Sequence, residues 1–135
     1  MCTRTYSTLR IFSDEVDPES ISKTLGLEPT DSFRTGDVHC QGKLRRKTNG
    51  WFFCTESSMD SKDTEEHIDL ILAKLDGKGE AVATLQAAGC YLDIFSFWTF
   101  DGQGGPSLTA EQMLMLGKLG IAVCWDVYAD EEPAP

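Results

Sequence analysis

Few side chains in this 135-residue chain could do covalent chemistry. A nucleophile needs a base beside it, and only His39 and His67 are available. His67 lies between Glu66 and Ile68 in a helical stretch and reads as a helix-surface or boundary residue. His39 adjoins Cys40, but a lone His-Cys pair without further ligands at metal spacing does not make a zinc site, so neither a metal nor a cofactor is expected. Gly102, Gly104 and Gly105 precede no Lys-Ser/Thr pair, which leaves a flexible loop rather than a phosphate cradle. The types best suited to a ligand are Arg34, Asp37, Trp51, Asp93 and Trp98. Arginine clamps anions, tryptophan supplies a flat apolar wall, and Asp93 becomes a base if burial raises its pKa. These five are far apart in the chain, so a shared pocket requires the fold to bring them together.

Charge narrows the classes of function. The net charge is −10, yet residues 1–56 hold eight Lys/Arg and eight Asp/Glu, which places the whole excess in residues 57–135. A surface of that sign repels a phosphate backbone, so direct nucleic-acid binding is disfavoured and a basic protein partner is favoured. The one dense basic run, Lys43, Arg45, Arg46 and Lys47, reads as a solvated hairpin tip. Alternatively it meets the acidic part of a second copy, giving a homodimer. Five scattered cysteines without a CxxC pair indicate core thiols. No apolar run approaches the ~18 residues of a membrane helix, and residues 1–10 do not resemble a secretion signal, so the expected location is cytoplasmic.

The elements that must position these residues follow from periodicity and capping. Tyr6 to Ser13 alternates as a strand. Asp17 caps a helix with Pro18 at its first position, Ile21 and Leu25 on one face and Gly26 at its end. Trp51 to Thr55 reads as a buried strand, paired in a hairpin with residues 38–47. Ile68, Ile71, Leu72 and Leu75 mark an amphipathic helix after Asp63, with Glu66 as the third residue of a capping box. A shorter helix spans 80–88, and Tyr91 to Phe100 is the strongest strand signal. Thr109 and Gln112 form a capping box, with Leu108 placed to staple onto Met113. Gly120 ends that helix, and 121–128 is the last strand. The expected organisation is one α+β domain over 1–129 with an acidic, proline-containing flexible tail at 130–135: a mostly antiparallel sheet with about four helices mainly on one face.

Two segments repeat one plan. Leu9-Arg10-Ile11-Phe12-Ser13 and Leu92-Asp93-Ile94-Phe95-Ser96 each precede a helix ending in Leu-Gly, which leaves an internally duplicated, ferredoxin-like arrangement open. If the duplication holds, both strands lie near the sheet centre about a pseudo-twofold axis, and Arg10 pairs with Asp93. Alternation then turns Leu9, Ile11, Leu92, Ile94, Ile121 and Val123 toward the helices. Arg10, Phe12, Tyr91, Asp93, Phe95, Phe97, Asp126 and Tyr128 face the other way. That second face is either an interface or is covered by Arg34, by residues 38–47 or by a loop.

The run Leu9 to Ser13, with Asp17-Pro18-Glu19 and Leu25-Gly26-Leu27-Glu28-Pro29-Thr30, resembles the opening of the bacterial domain of unknown function 4279 family. Arg34-Thr35-Gly36-Asp37, Gly50-Trp51-Phe52, Glu66-His67, Asp93-Ile94-Phe95 and the ending Gly120-Ile121 to Asp126-Val127-Tyr128 extend the resemblance over nearly the whole chain. It implies a small α+β domain and carries no reaction, cofactor or partner. The function expected from the residues is a non-catalytic acidic binding module that docks a basic protein, as an inhibitor or immunity-type protein does. A small-molecule binder or enzyme and a structural subunit of an oligomer are the alternatives.

Overall fold

The computed structural model describes residues 1–130; of the expected tail at 130–135, all but Asp130 lies outside the described residues. Strands β1 (Cys2–Ser13), β2 (Asp31–Phe33), β3 (Val38–His39), β4 (Leu44–Arg45), β5 (Asn49–Cys54), β6 (Tyr91–Phe100) and β7 (Ala122–Ala129) alternate with helices α1 (Pro18–Leu25), α2 (Thr64–Lys74), α3 (Gly79–Ala87) and α4 (Ala110–Leu119). The main sheet has the order β2-β5-β1-β6-β7. All of its pairings are antiparallel except β6 with β7, which α4 connects in parallel.

Capping explains most helix boundaries. The Asp17 carboxylate accepts from the Ser20 amide at 2.8 Å, Pro18 takes a position where no amide hydrogen is required, and Gly26 ends α1 at φ 65°. Thr109 and Gln112 make both bonds of the expected capping box. The box expected at α2 is not closed: Asp63 accepts from the Glu65 amide, but its own amide donates to Ser61 Oγ rather than to Glu66. Leu108 packs on the core, whereas Met113, its expected staple partner, is 55% exposed.

One apolar cluster joins the sheet to all four helices. Leu9, Ile11, Trp51, Leu92 and Ile94 meet Ile21 and Leu25 of α1, Ile68, Ile71 and Leu72 of α2, Val82 and Leu85 of α3, and Leu116 of α4. Each such side chain contributes about 1.5–3 kcal/mol on full burial. The helices therefore cover a single face.

The expected hairpin between 38–47 and β5 is corrected. β1 and β2 occupy both edges of β5, so β3 pairs only with β4, through a turn holding Cys40, Gln41 and Gly42 at φ 53°, 57° and 82°. The two Leu-x-Ile-Phe-Ser strands are adjacent and antiparallel, Leu9 opposite Ile94, Arg10 opposite Asp93 and Ile11 opposite Leu92. Beyond these strands the two segments connect differently: β5 separates β2 from β1, whereas β7 lies directly on β6.

Candidate functional site

Strand alternation sorts the aromatic residues by face. All three tryptophans take the helix side, while all three tyrosines and five of the seven phenylalanines (Phe12, Phe33, Phe52, Phe95 and Phe97) take the side without helices. There six of the rings form two groups. Phe33, Phe52 and Phe12 meet edge to face at 5.5 and 5.4 Å, and Tyr6 stacks on Phe97 at 4.9 Å, which neighbours Tyr128 at 5.9 Å.

Arg10 and Asp93 are set among these rings. Arg10 Nε and Nη2 donate to the two Asp93 oxygens at 2.8 and 2.6 Å, a bidentate fork. The guanidinium also lies 4.6 Å from the Phe95 ring centre and 5.3 Å from that of Phe12, and Cys124 Sγ approaches Asp93 Oδ2 at 3.7 Å. The bonds to Asp93 raise the Arg10 pKa. The charge of Asp93 pushes the Tyr91 phenol up, a hydrogen bond to Asp126 does the same at Tyr128, and burial raises Tyr6. Asp93, 1% exposed, already has a full partner and is not placed to serve as a free base.

The other residues expected at a ligand site do not join it. Trp51 is buried in the helix-side core, its indole N–H donating to Ser22 Oγ at 2.9 Å, and Trp98 is buried on that same side. Arg34 pairs with Glu19 and sits near α1, while Asp37 accepts from the Arg34 amide at 2.8 Å. Arg34, Asp37, Trp51, Asp93 and Trp98 thus line no common pocket, because Asp93 projects from the face opposite to both tryptophans. His67 also differs from expectation: it is fully buried, with Nδ1 2.6 Å from Thr55 Oγ1 and Nε2 2.7 Å from the Ser61 carbonyl. Because Ser61 O only accepts, Nε2 carries the proton.

A concave site lies on the helix layer instead. Asp69, Leu72, Ala73 and Asp76 from the α2 side and Glu111, Gln112 and Met115 of α4 line a groove of about 390 Å³. The first four recur at i, i+3, i+4 and i+7, the spacing of one helix face continued just past the end of α2, a stripe not singled out from the sequence. Gln112, 3% exposed, donates from Nε2 to Asp69 Oδ1 at 2.7 Å and to the Glu65 carbonyl at 2.8 Å, holding α4 against α2 and fixing the Asp69 carboxylate. No Lys or Arg lines this groove. It continues past Leu72, Asp76 and Met115 into a smaller stretch lined also by Lys118 and Leu119. Among the described residues, no three His, Cys, Asp or Glu side chains converge to hold a metal ion. No described helix is long and apolar enough to cross a membrane.

No curated protein and no solved structure matches the chain. A family model does, over residues 3–130, and the chain belongs to the family described as domain of unknown function DUF4279.

Proposed function

We propose that this protein is a cytoplasmic, non-catalytic binding module that docks a basic segment of another protein in the groove between α2 and α4. The observation that carries the reading is the lining: Asp69, Asp76 and Glu111 around Leu72, Ala73 and Met115, with no cation among them. Lysine and arginine have apolar stems and charged heads, so such side chains lay their methylenes on the floor and their heads against the rim carboxylates. The excess of carboxylates in residues 57–135 supplies the longer-range field that draws a basic partner in.

The test is affinity capture from nuclease-treated host lysate at low and moderate salt, with wild-type protein and an Asp69→Asn/Asp76→Asn/Glu111→Gln variant side by side. A stoichiometric basic protein retained at low salt, released by salt and lost on the variant supports the reading. Retention that is indifferent to salt or to the three substitutions refutes it.

A further inference from the structure

Another concave site, on the opposite face of the sheet, has the reverse chemistry. A groove of about 350 Å³ separates the β3–β4 hairpin from the sheet, lined chiefly by Phe12, Phe33, His39, Arg45, Arg46 and Lys47. None of its lining residues is acidic. Residues 34–47 hold five Lys/Arg against one Asp, in a chain whose total charge is −10. Despite that surplus of carboxylates, Arg45, Arg46 and Lys47 form no salt bridge among the described residues.

Arg46 is held in place without being neutralised. Its guanidinium carbon lies 3.9 Å from the Phe33 ring centre, and the outer end of that ring in turn fills the space beside Gly50, where a Cβ would collide with Phe33 Cζ. Its amide donates to the Asp37 carbonyl at 2.7 Å, and its carbonyl accepts from Gly36 at 2.8 Å. Stacking uses only the face of a guanidinium, so the in-plane N–H donors of Arg46 stay available, while those of its neighbour Arg45 are partly engaged, Nη1 donating to the Gly36 carbonyl at 3.0 Å. Orientation fixed by a ring, with charge and donors unspent, is the preorganisation that an anion receptor needs. The volume falls within the range of small-ligand sites, and half-buried Phe12, His39 and the guanidinium plane offer surfaces for a flat group.

We infer that the groove between the β3–β4 hairpin and the sheet binds a small phosphorylated ligand bearing a flat apolar group, of the nucleotide type, with Arg45, Arg46 and Lys47 on the phosphate and the flat group against Phe12 and His39. This inference is independent of the basic-partner reading, since the two sites share no residue.

The experiment is an amide-resolved NMR titration of the full chain with AMP, adenosine and inorganic phosphate in turn. AMP is expected to shift amides of residues 33–48 saturably, with at least about tenfold higher affinity than either half alone. Arg46→Gln, and separately the exposed Arg45→Gln, each weaken AMP binding by about tenfold, a single charge-assisted contact. Arg46→Lys, which keeps the charge but loses the planar stack, recovers only part. The absence of saturable shifts, or undiminished binding by both glutamine variants, overturns the inference. Phosphate binding as tightly as AMP overturns its nucleotide part.

Discussion

The Arg10 guanidinium and the Asp93 carboxylate close a two-bonded bridge, 2.8 and 2.6 Å, across β1 and β6, the central antiparallel pair of the main sheet. The bridge sits on a local twofold: Leu9 is opposite Ile94 and Ile11 opposite Leu92, so the two Leu-x-Ile-Phe-Ser strands are related about this one pair. A charge pair in the middle of an aromatic face specifies register, because a one-residue slip of either strand would turn its charged group into the helix-side core and away from its partner. The two partners are unequally exposed, 26% for the Arg10 side chain and 1% for that of Asp93.

That inequality sets the order of mutational costs. Arg10→Met strands a buried carboxylate and is expected to cost about 3–5 kcal/mol. Asp93→Asn leaves a cation that reaches water and costs less, about 1–2 kcal/mol. The double change Arg10→Met/Asp93→Leu is milder than Arg10→Met alone. Urea midpoints at constant m-value measure all three, and equal costs for the two single changes would contradict the argument.

Gly50 opposes Phe12 and Phe33 in the sheet, and its missing side chain is the seat of the Phe33 ring. Gly50→Ala drives a methyl into that ring and is expected to cost about 1–3 kcal/mol. Phe33→Ala is expected to cost less in the Gly50→Ala background than in the wild type, since removing the ring there also relieves the clash. Additive costs in this double-mutant cycle would show that the ring does not rest there.

Capping chemistry and strand alternation make α1, α4, β6 and the two faces of the sheet legible in the sequence alone, whereas the Arg10–Asp93 pairing is legible only as a condition on the repeated Leu-x-Ile-Phe-Ser plan. Residues 28–50 are not legible, because β2, β3 and β4 span only three, two and two residues and so carry no periodicity. Asp69, Asp76 and Glu111 escape for another reason. A helical stripe shows which residues share a face, but not that α4 will stand beside it. His67 is misplaced by its pattern because its burial depends on Thr55 and Ser61, polar partners that no apolar spacing announces.

The three tyrosines all hold their protons more tightly in the folded chain than a free phenol does: Tyr6 because it is buried, Tyr91 because of Asp93, Tyr128 because it bonds Asp126. A group whose folded pKa is raised contributes stability that is intact below its unfolded value, about 10 for tyrosine, and lost as pH climbs through the folded value. Absorbance titration of the native protein is therefore expected to lag the urea-unfolded chain above about pH 10. Tyr6→Phe should narrow the lag and make stability less sensitive to alkali. Superimposable native and unfolded curves would contradict these shifts.

His67 joins three separate pieces of chain. The Ser7 amide donates to Thr55 Oγ1 at 3.0 Å, the Thr55 hydroxyl meets His67 Nδ1, and Nε2–H donates to the Ser61 carbonyl, so one ring on α2 ties β1 to the 55–61 connection. His67→Ala removes both ring contacts and opens a cavity in a fully buried site, with an expected cost of about 2–4 kcal/mol. Thr55→Val breaks the same chain from its middle and leaves the ring nitrogen unpaired, at about 1–3 kcal/mol. The two losses should not add, since they sever one network. Hydrogen exchange distinguishes this tie from general destabilisation: amides of residues 55–63 are expected to lose protection in His67→Ala first, ahead of β1 and β6, whose protection follows global unfolding. Uniform loss of protection across the sheet and the connection would mean that His67 fills space and ties nothing.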